Sequence, residues 1–102
     1  MEHTRADVQV RRNDELDRYE LRVDGELAGI ADFVQEGGAV ALTHTVVEPR
    51  FRHQGWSSQL AQYAVEDIAG QGRRIKPYCS YMARYLEKHP AYSHLVSWPQ
   101  EP

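Results

Sequence analysis

Three parts of this 102-residue chain have residue types and spacing that could do chemistry: the run Arg52-His53-Gln54-Gly55-Trp56-Ser57, the single cysteine Cys79, and His44. In the first, a glycine stands directly before a stretch of helical periodicity. The first amides of a helix have no intrahelical acceptors, and the macrodipole adds partial positive charge there. Such amides can receive a phosphate or pyrophosphate. Gly55 has no side chain to block close approach, Arg50, Arg52 and His53 would add positive charge, and Ser57 offers a hydroxyl. The ordinary alternative is a solvated basic loop capped by a serine. Cys79 falls where a second helix should begin, a position that favours thiolate, and Arg73, Arg74 and Lys76 are close in sequence. Its sulfur could attack an acyl carbon or protonate a leaving group; the alternative is a small buried apolar side chain. His44 interrupts the most apolar strand, on the face of Val40, Leu42 and Val46 by simple alternation. It is suited to taking a proton near neutral pH, or else is a hydrogen-bonded core histidine.

The elements that must position these groups follow from apolar periodicity. Val8-Gln9-Val10 and Tyr19 to Val23 alternate and predict two strands around the polar stretch Arg11 to Asp17, whose acids Asp14, Glu15 and Asp17 read as a solvated turn. Asp24-Gly25 marks a tight hairpin. Leu27 to Val34 is the return strand, with a bulge expected at Gly29, and Glu36-Gly37-Gly38 turns into the strand Ala39 to Val47. After the polar connection Glu48 to Gly55, the residues Trp56, Leu60, Ala64, Val65 and Ile68 fall on one helical face. Gly70 and Gly72 close that helix. Arg73 to Pro77 predicts a short strand and Tyr78 to Lys88 a second helix, stopped at His89-Pro90. Ala91 to Trp98 packs back. The order is ββββ-α-β-α, an α+β fold in one domain over residues 1–102, with its first four strands an antiparallel meander.

Composition narrows the classes. Hydrophobic residues make up 41% and charged residues 26%, the proportions of a globular domain and not of a disordered chain. The net charge of −3 disfavours wholesale electrostatic binding to nucleic acid. An RNA-binding reading through Arg50, Arg52, Arg73, Arg74 and Lys76 also lacks an aromatic strand to stack bases. No apolar run approaches membrane-spanning length, and no leader pattern opens the chain. One cysteine cannot form an internal disulfide and fits a reducing compartment, so a cytoplasmic location is expected. His3, His53, His89 and His94 lack metal-ligand spacing, so no metal is expected. A Walker phosphate loop and a dinucleotide fingerprint are excluded by their missing residues.

The motif that remains, Arg52-x-x-Gly55-x-Ser57 with Leu60 on the inward face, resembles the pyrophosphate loop of the GNAT acetyltransferase superfamily, usually written Gln/Arg-x-x-Gly-x-Gly/Ala. Serine at the last position is a mild departure. Pro77-x-Cys79, His89-Pro-x-Tyr92 and His44-Thr45 resemble a compact, roughly hundred-residue subgroup of it, the YjdJ type, and the likeness runs from Tyr19 to Leu95. The resemblance implies a GNAT-like mixed, mostly antiparallel splayed sheet holding acetyl-CoA between strands four and five, and transfer of its acetyl group to a primary amine. It implies that His44 and Cys79 flank that group. Thr45, Val46 and Val47 would meet the pantetheine arm, and Arg52, His53, Gln54, Gly55, Trp56 and Ser57 the pyrophosphate. A non-catalytic domain of the same fold that binds CoA or acyl-CoA is the alternative. The acceptor, whether protein lysine or small amine, is not specified. Asp32 or Glu36 could attract a cationic amine, and Tyr78, Tyr81, Tyr85 and Tyr92 could line its pocket.

Overall fold

The structure, a computed structural model, describes residues 6–99; His3 lies outside them. Five strands form one sheet in the order β1-β2-β3-β4-β5: β1 (Val8–Asn13), β2 (Arg18–Val23), β3 (Glu26–Glu36), β4 (Ala39–Val47) and β5 (Arg74–Pro77). The first four are an antiparallel meander and β5 joins β4 in parallel. Between β4 and β5 runs helix α1 (Trp56–Gly70), entered through a 3-10 turn at Pro49–Phe51. Helix α2 (Ser80–Glu87) and a further 3-10 segment, Pro90–Leu95, follow β5.

The hairpin turn at Asp24-Gly25 has positive φ at both residues, 51° and 84°. That is the primed geometry whose twist matches the flanking strands. Strand β1 is three residues longer than its alternating apolar residues predict. Its polar end is held because Arg12, facing Tyr19 across the ladder, donates to Asp67 of α1 at 3.0 Å and lies over the Phe33 ring. Tyr19 donates to the same carboxylate oxygen at 2.8 Å. Burial of the phenol and its bond to that carboxylate both push the Tyr19 pKa upward. Helix α2, in turn, starts two residues later than predicted. The amides of Tyr78 and Cys79 both bond the carbonyl of Leu42, at 2.9 and 3.1 Å, so the chain still belongs to the β4–β5 seam at that point.

One face of the sheet carries the core. Tyr19, Leu21, Ala31, Phe33, Val40 and Leu42 pack with Leu60, Ala61, Ala64, Val65 and Ile68 of α1 and Met82 and Leu86 of α2. The helical face read from the sequence is the face that is buried; the alanines let α1 lie close to the strands. Leu60, at 0% exposure, is the core residue nearest the start of α1. Leu60→Ala should lower unfolding free energy by about 2–5 kcal/mol, the range for a truncated buried leucine, measurable by urea denaturation.

Two irregularities shape the sheet. The β2–β3 register shifts between Leu21 and Arg22, where Gly29 faces Leu21 and Leu27 faces Arg22, so the bulge expected at Gly29 is present at Ala28-Gly29. A side chain at Gly29 would come within 2.9 Å of the Val46 carbonyl, so this glycine lets β3 and the end of β4 approach. The second shift was not anticipated. His44 pairs with Asp32 but Leu42 pairs with Phe33, which leaves Thr43 as an extra residue in β4. An extra residue reverses the alternation of faces beyond it. His44 is therefore not on the face of Val40 and Leu42, as simple alternation gave. It lies on the opposite, helix-free face with Val46, and Thr45 takes the helix side.

Candidate active site

Strand β5 ends at Pro77, paired with Leu42, while β4 runs on past the bulge to Val47. From that point β4 has a neighbour on one side only, and a cleft opens. Its volume is about 370 Å³, and it is lined by Thr45, Val46 and Val47 of β4, Phe51, Arg52 and His53 of the loop, Ser57 of α1 and Tyr81 of α2. Of the residues singled out from the sequence, Thr45, Val46, Val47, Arg52, His53 and Ser57 share this one cavity. Gln54, Gly55 and Trp56 form the rim and base of the same loop and do not line it.

The loop has the backbone of an anion-binding corner. Gly55 is the N-cap of α1 with φ 79°, without a side-chain cap, and an added Cβ there would meet nothing within 4 Å. Among the described residues the amides of Gly55, Trp56 and Ser57 donate to no acceptor. Arg52 donates through Nε to the carbonyl of Val47 at 2.9 Å. This ties the loop to the end of β4 and leaves the two terminal guanidinium nitrogens for another partner. Phe51 packs on Trp56, with ring centroids 6.1 Å apart.

Not all the positive charge gathers here. Arg50, expected beside the loop's anion, pairs with Glu26 at 3.0 Å and Glu48 at 3.8 Å and is not among the residues lining the cleft. The cations near Cys79 in sequence are likewise engaged at the other end of β5. Arg73 bonds Gln35 and the Gly37 carbonyl, Arg74 bonds Ser97 and two carbonyls, and Lys76 pairs with Glu36 at 3.1 Å. That bond raises the Lys76 pKa and holds its charge beside Glu36.

Cys79 is half-buried and is the N-cap of α2, its sulfur accepting the Met82 amide at 3.4 Å. The Oγ1 of Thr45 lies 3.1 Å from the same sulfur. His44 stands apart from this pair. Its ring is exposed, and Nδ1 is 3.5 Å from Oδ2 of Asp32, its partner across the β3–β4 ladder. The structure thus joins Thr45 to Cys79 and His44 to Asp32, with the β4 backbone between the two pairs. Two further residues line this cleft that the sequence did not assign to it. Tyr81, expected in an acceptor pocket, donates its hydroxyl to Ser57 Oγ at 3.1 Å and so joins the first turns of α1 and α2 beside the Arg52 to Ser57 loop. Its place two residues after Cys79 was the available signal. Phe51, an aromatic in an otherwise polar loop, was the other.

A mixed sheet opened at a bulge, with a helix N-terminus facing the opening, is the architecture of a GNAT-like domain. The chain belongs to the GCN5-related N-acetyltransferase family, whose model matches residues 18–95. No curated protein sequence matches the chain. Among solved structures, the solution structure of a GCN5-like protein from Staphylococcus aureus superimposes with a TM-score of 0.68 at 16% identity, covering 91% of each chain. The ribosomal-protein-S18-alanine N-acetyltransferase from Escherichia coli superimposes with a TM-score of 0.62 at 16% identity. That match covers 71% of this chain and 50% of the enzyme. At such identity these likenesses bear on the fold.

Proposed function

We propose that this chain transfers an acetyl group from acetyl-CoA to a primary amine. The observation that carries this reading is that Thr45, Val46 and Val47 share one cavity with Arg52, His53 and Ser57. A strand edge that can meet an extended amide-bearing arm thus runs into a corner of free helix amides suited to a pyrophosphate. Arg52 and His53 would sit beside the phosphates, and the backbone of Gly55 to Ser57 beneath them. Bound acetyl-CoA supplies an activated acyl carbon and a thiol leaving group. The chain's own groups supply the rest: Cys79 with Thr45 on the helix side of β4, and His44 with Asp32 on the open face. His44 is placed to take a proton from an amine arriving there, since an ammonium cannot attack until it is deprotonated.

The test has two stages. Calorimetric titration should show one acetyl-CoA bound per chain, with affinity falling as salt is raised because an anion is being recognised. Thiol release from acetyl-CoA in the presence of a panel of amines should then depend on the amine. Binding without amine-dependent release would favour a non-catalytic acyl-CoA-binding domain, a reading supported by the separation of His44 from Cys79. Absence of binding would defeat both.

A further inference from the structure

We propose that Thr45 is a proton relay between the Cys79 sulfur and the cleft, so that Cys79 acts as a proton donor and not as an acetyl carrier. This rests on the acetyl-transfer reading above and chooses between two chemistries that it leaves open. Thr45 lines the cleft, whereas Cys79 is not among the lining residues. The sulfur lies 3.1 Å from the threonine hydroxyl, so Thr45 is the member of the pair that borders the cavity.

The relay uses the contact in one sense, with the S–H donating to Oγ1, although either atom of the pair can donate. The Met82 amide donates to Sγ and occupies one lone pair of the sulfur, and Oγ1 lies within reach of the S–H as an acceptor. A threonine hydroxyl accepts and donates at once, so its own O–H is left to point into the cleft. When the thioester's carbon–sulfur bond breaks, the electron pair goes to the departing sulfur. Thr45 Oγ1 gives that sulfur its proton and takes one from Cys79 Sγ. The thiolate left behind keeps the Met82 amide as its hydrogen-bond donor. The amine's proton leaves to His44 on the other face. Exchange with solvent restores neutral His44 and the Cys79 thiol, so protons balance over a turnover.

The Thr43 bulge makes this arrangement. Without the extra residue, His44 would face the helices and Thr45 the open surface. The bulge sends the two neighbours to opposite faces, one to each proton of the reaction.

Because Cys79 is the sole cysteine, the S–H stretch in the Raman spectrum reports on it alone, with or without acetyl-CoA. In the wild-type chain the band should lie at lower frequency than in Thr45→Val, which keeps the side-chain shape and removes the hydroxyl. Thr45→Ser should leave it low. An unchanged band in Thr45→Val would overturn the relay whatever the activity. In turnover, Thr45→Val should lower kcat about a hundredfold at saturating acetyl-CoA, and Thr45→Ser should recover most of the rate. Intact mass after incubation with acetyl-CoA alone should show no acetyl group on the chain. An adduct lost in Cys79→Ala would overturn the donor role in favour of a covalent carrier. If the wild-type chain neither binds acetyl-CoA nor turns over any amine, the acetyl-transfer reading fails, and the Raman comparison still decides the contact.

Discussion

Gly55→Val is expected to weaken acetyl-CoA binding by about a hundredfold or more, some 2.7 kcal/mol of binding free energy. Gly55 holds φ at 79°, and a left-handed conformation costs an ordinary L-residue roughly 1–2 kcal/mol. Valine, branched at Cβ, is among the residues least able to adopt it. The strain acts where it matters, since Gly55 is the residue that turns the chain into α1. Either the turn relaxes and the amides of Trp56 and Ser57 lose their common aim, or it holds and a branched side chain stands over them. The space around a Cβ at this position is empty of protein atoms, so the native fold has room for the substitution. Calorimetry measures the affinity, and circular dichroism and Tm should show the core on Leu60 and Ile68 intact. An affinity within threefold of wild type would remove the loop from the binding site.

Cys79→Ser is expected to reduce kcat by about 10²–10⁴, the span usual for losing a positioned proton donor, with acetyl-CoA affinity unchanged. The substitution suits the question because it separates chemistry from folding. Cys79 caps α2 through its sulfur, and serine is a better N-cap than most residues, so the variant should unfold at the same temperature or slightly higher. A hydroxyl is a far weaker acid than a thiol, so the proton step should slow. Retained turnover with intact binding would show that the sulfur is a structural cap alone. The two variants are complementary: one should lose affinity with the sulfur in place, the other rate with the loop in place.

Much of this site was legible before folding, for local reasons. The Arg52 to Ser57 loop could be read because a helix N-terminus and the glycine before it are properties of neighbouring residues, and such residues keep their relation in any fold that preserves the helix. Cys79 at the head of α2 could be read in the same way. Leu60, Ala64, Val65 and Ile68 marked the buried face because a period of 3.6 leaves few alternatives.

The sorting of residues across β4 was not legible. Ala39 to Val47 contains neither glycine nor proline, and its alternation runs on without a break in the letters. The extra residue at Thr43 exists only in relation to β3, where Asp32 takes His44 and Phe33 takes Leu42. Register belongs to a pair of strands, so one strand's sequence cannot report it, and a slip of one residue turns every later side chain to the other face. The charges behaved similarly. Arg50, Arg73, Arg74 and Lys76 were positive in any reading, but the partners that claim them lie at sequence separations from 2 to 40 residues. Sequence alone therefore determined which groups can do chemistry and which turn leads into α1 with amides unpartnered among the described residues. Tertiary pairing decided that sulfur and hydroxyl meet on one side of β4 while imidazole and carboxylate meet on the other, because strand register is set between strands and most counterions come from distant parts of the chain.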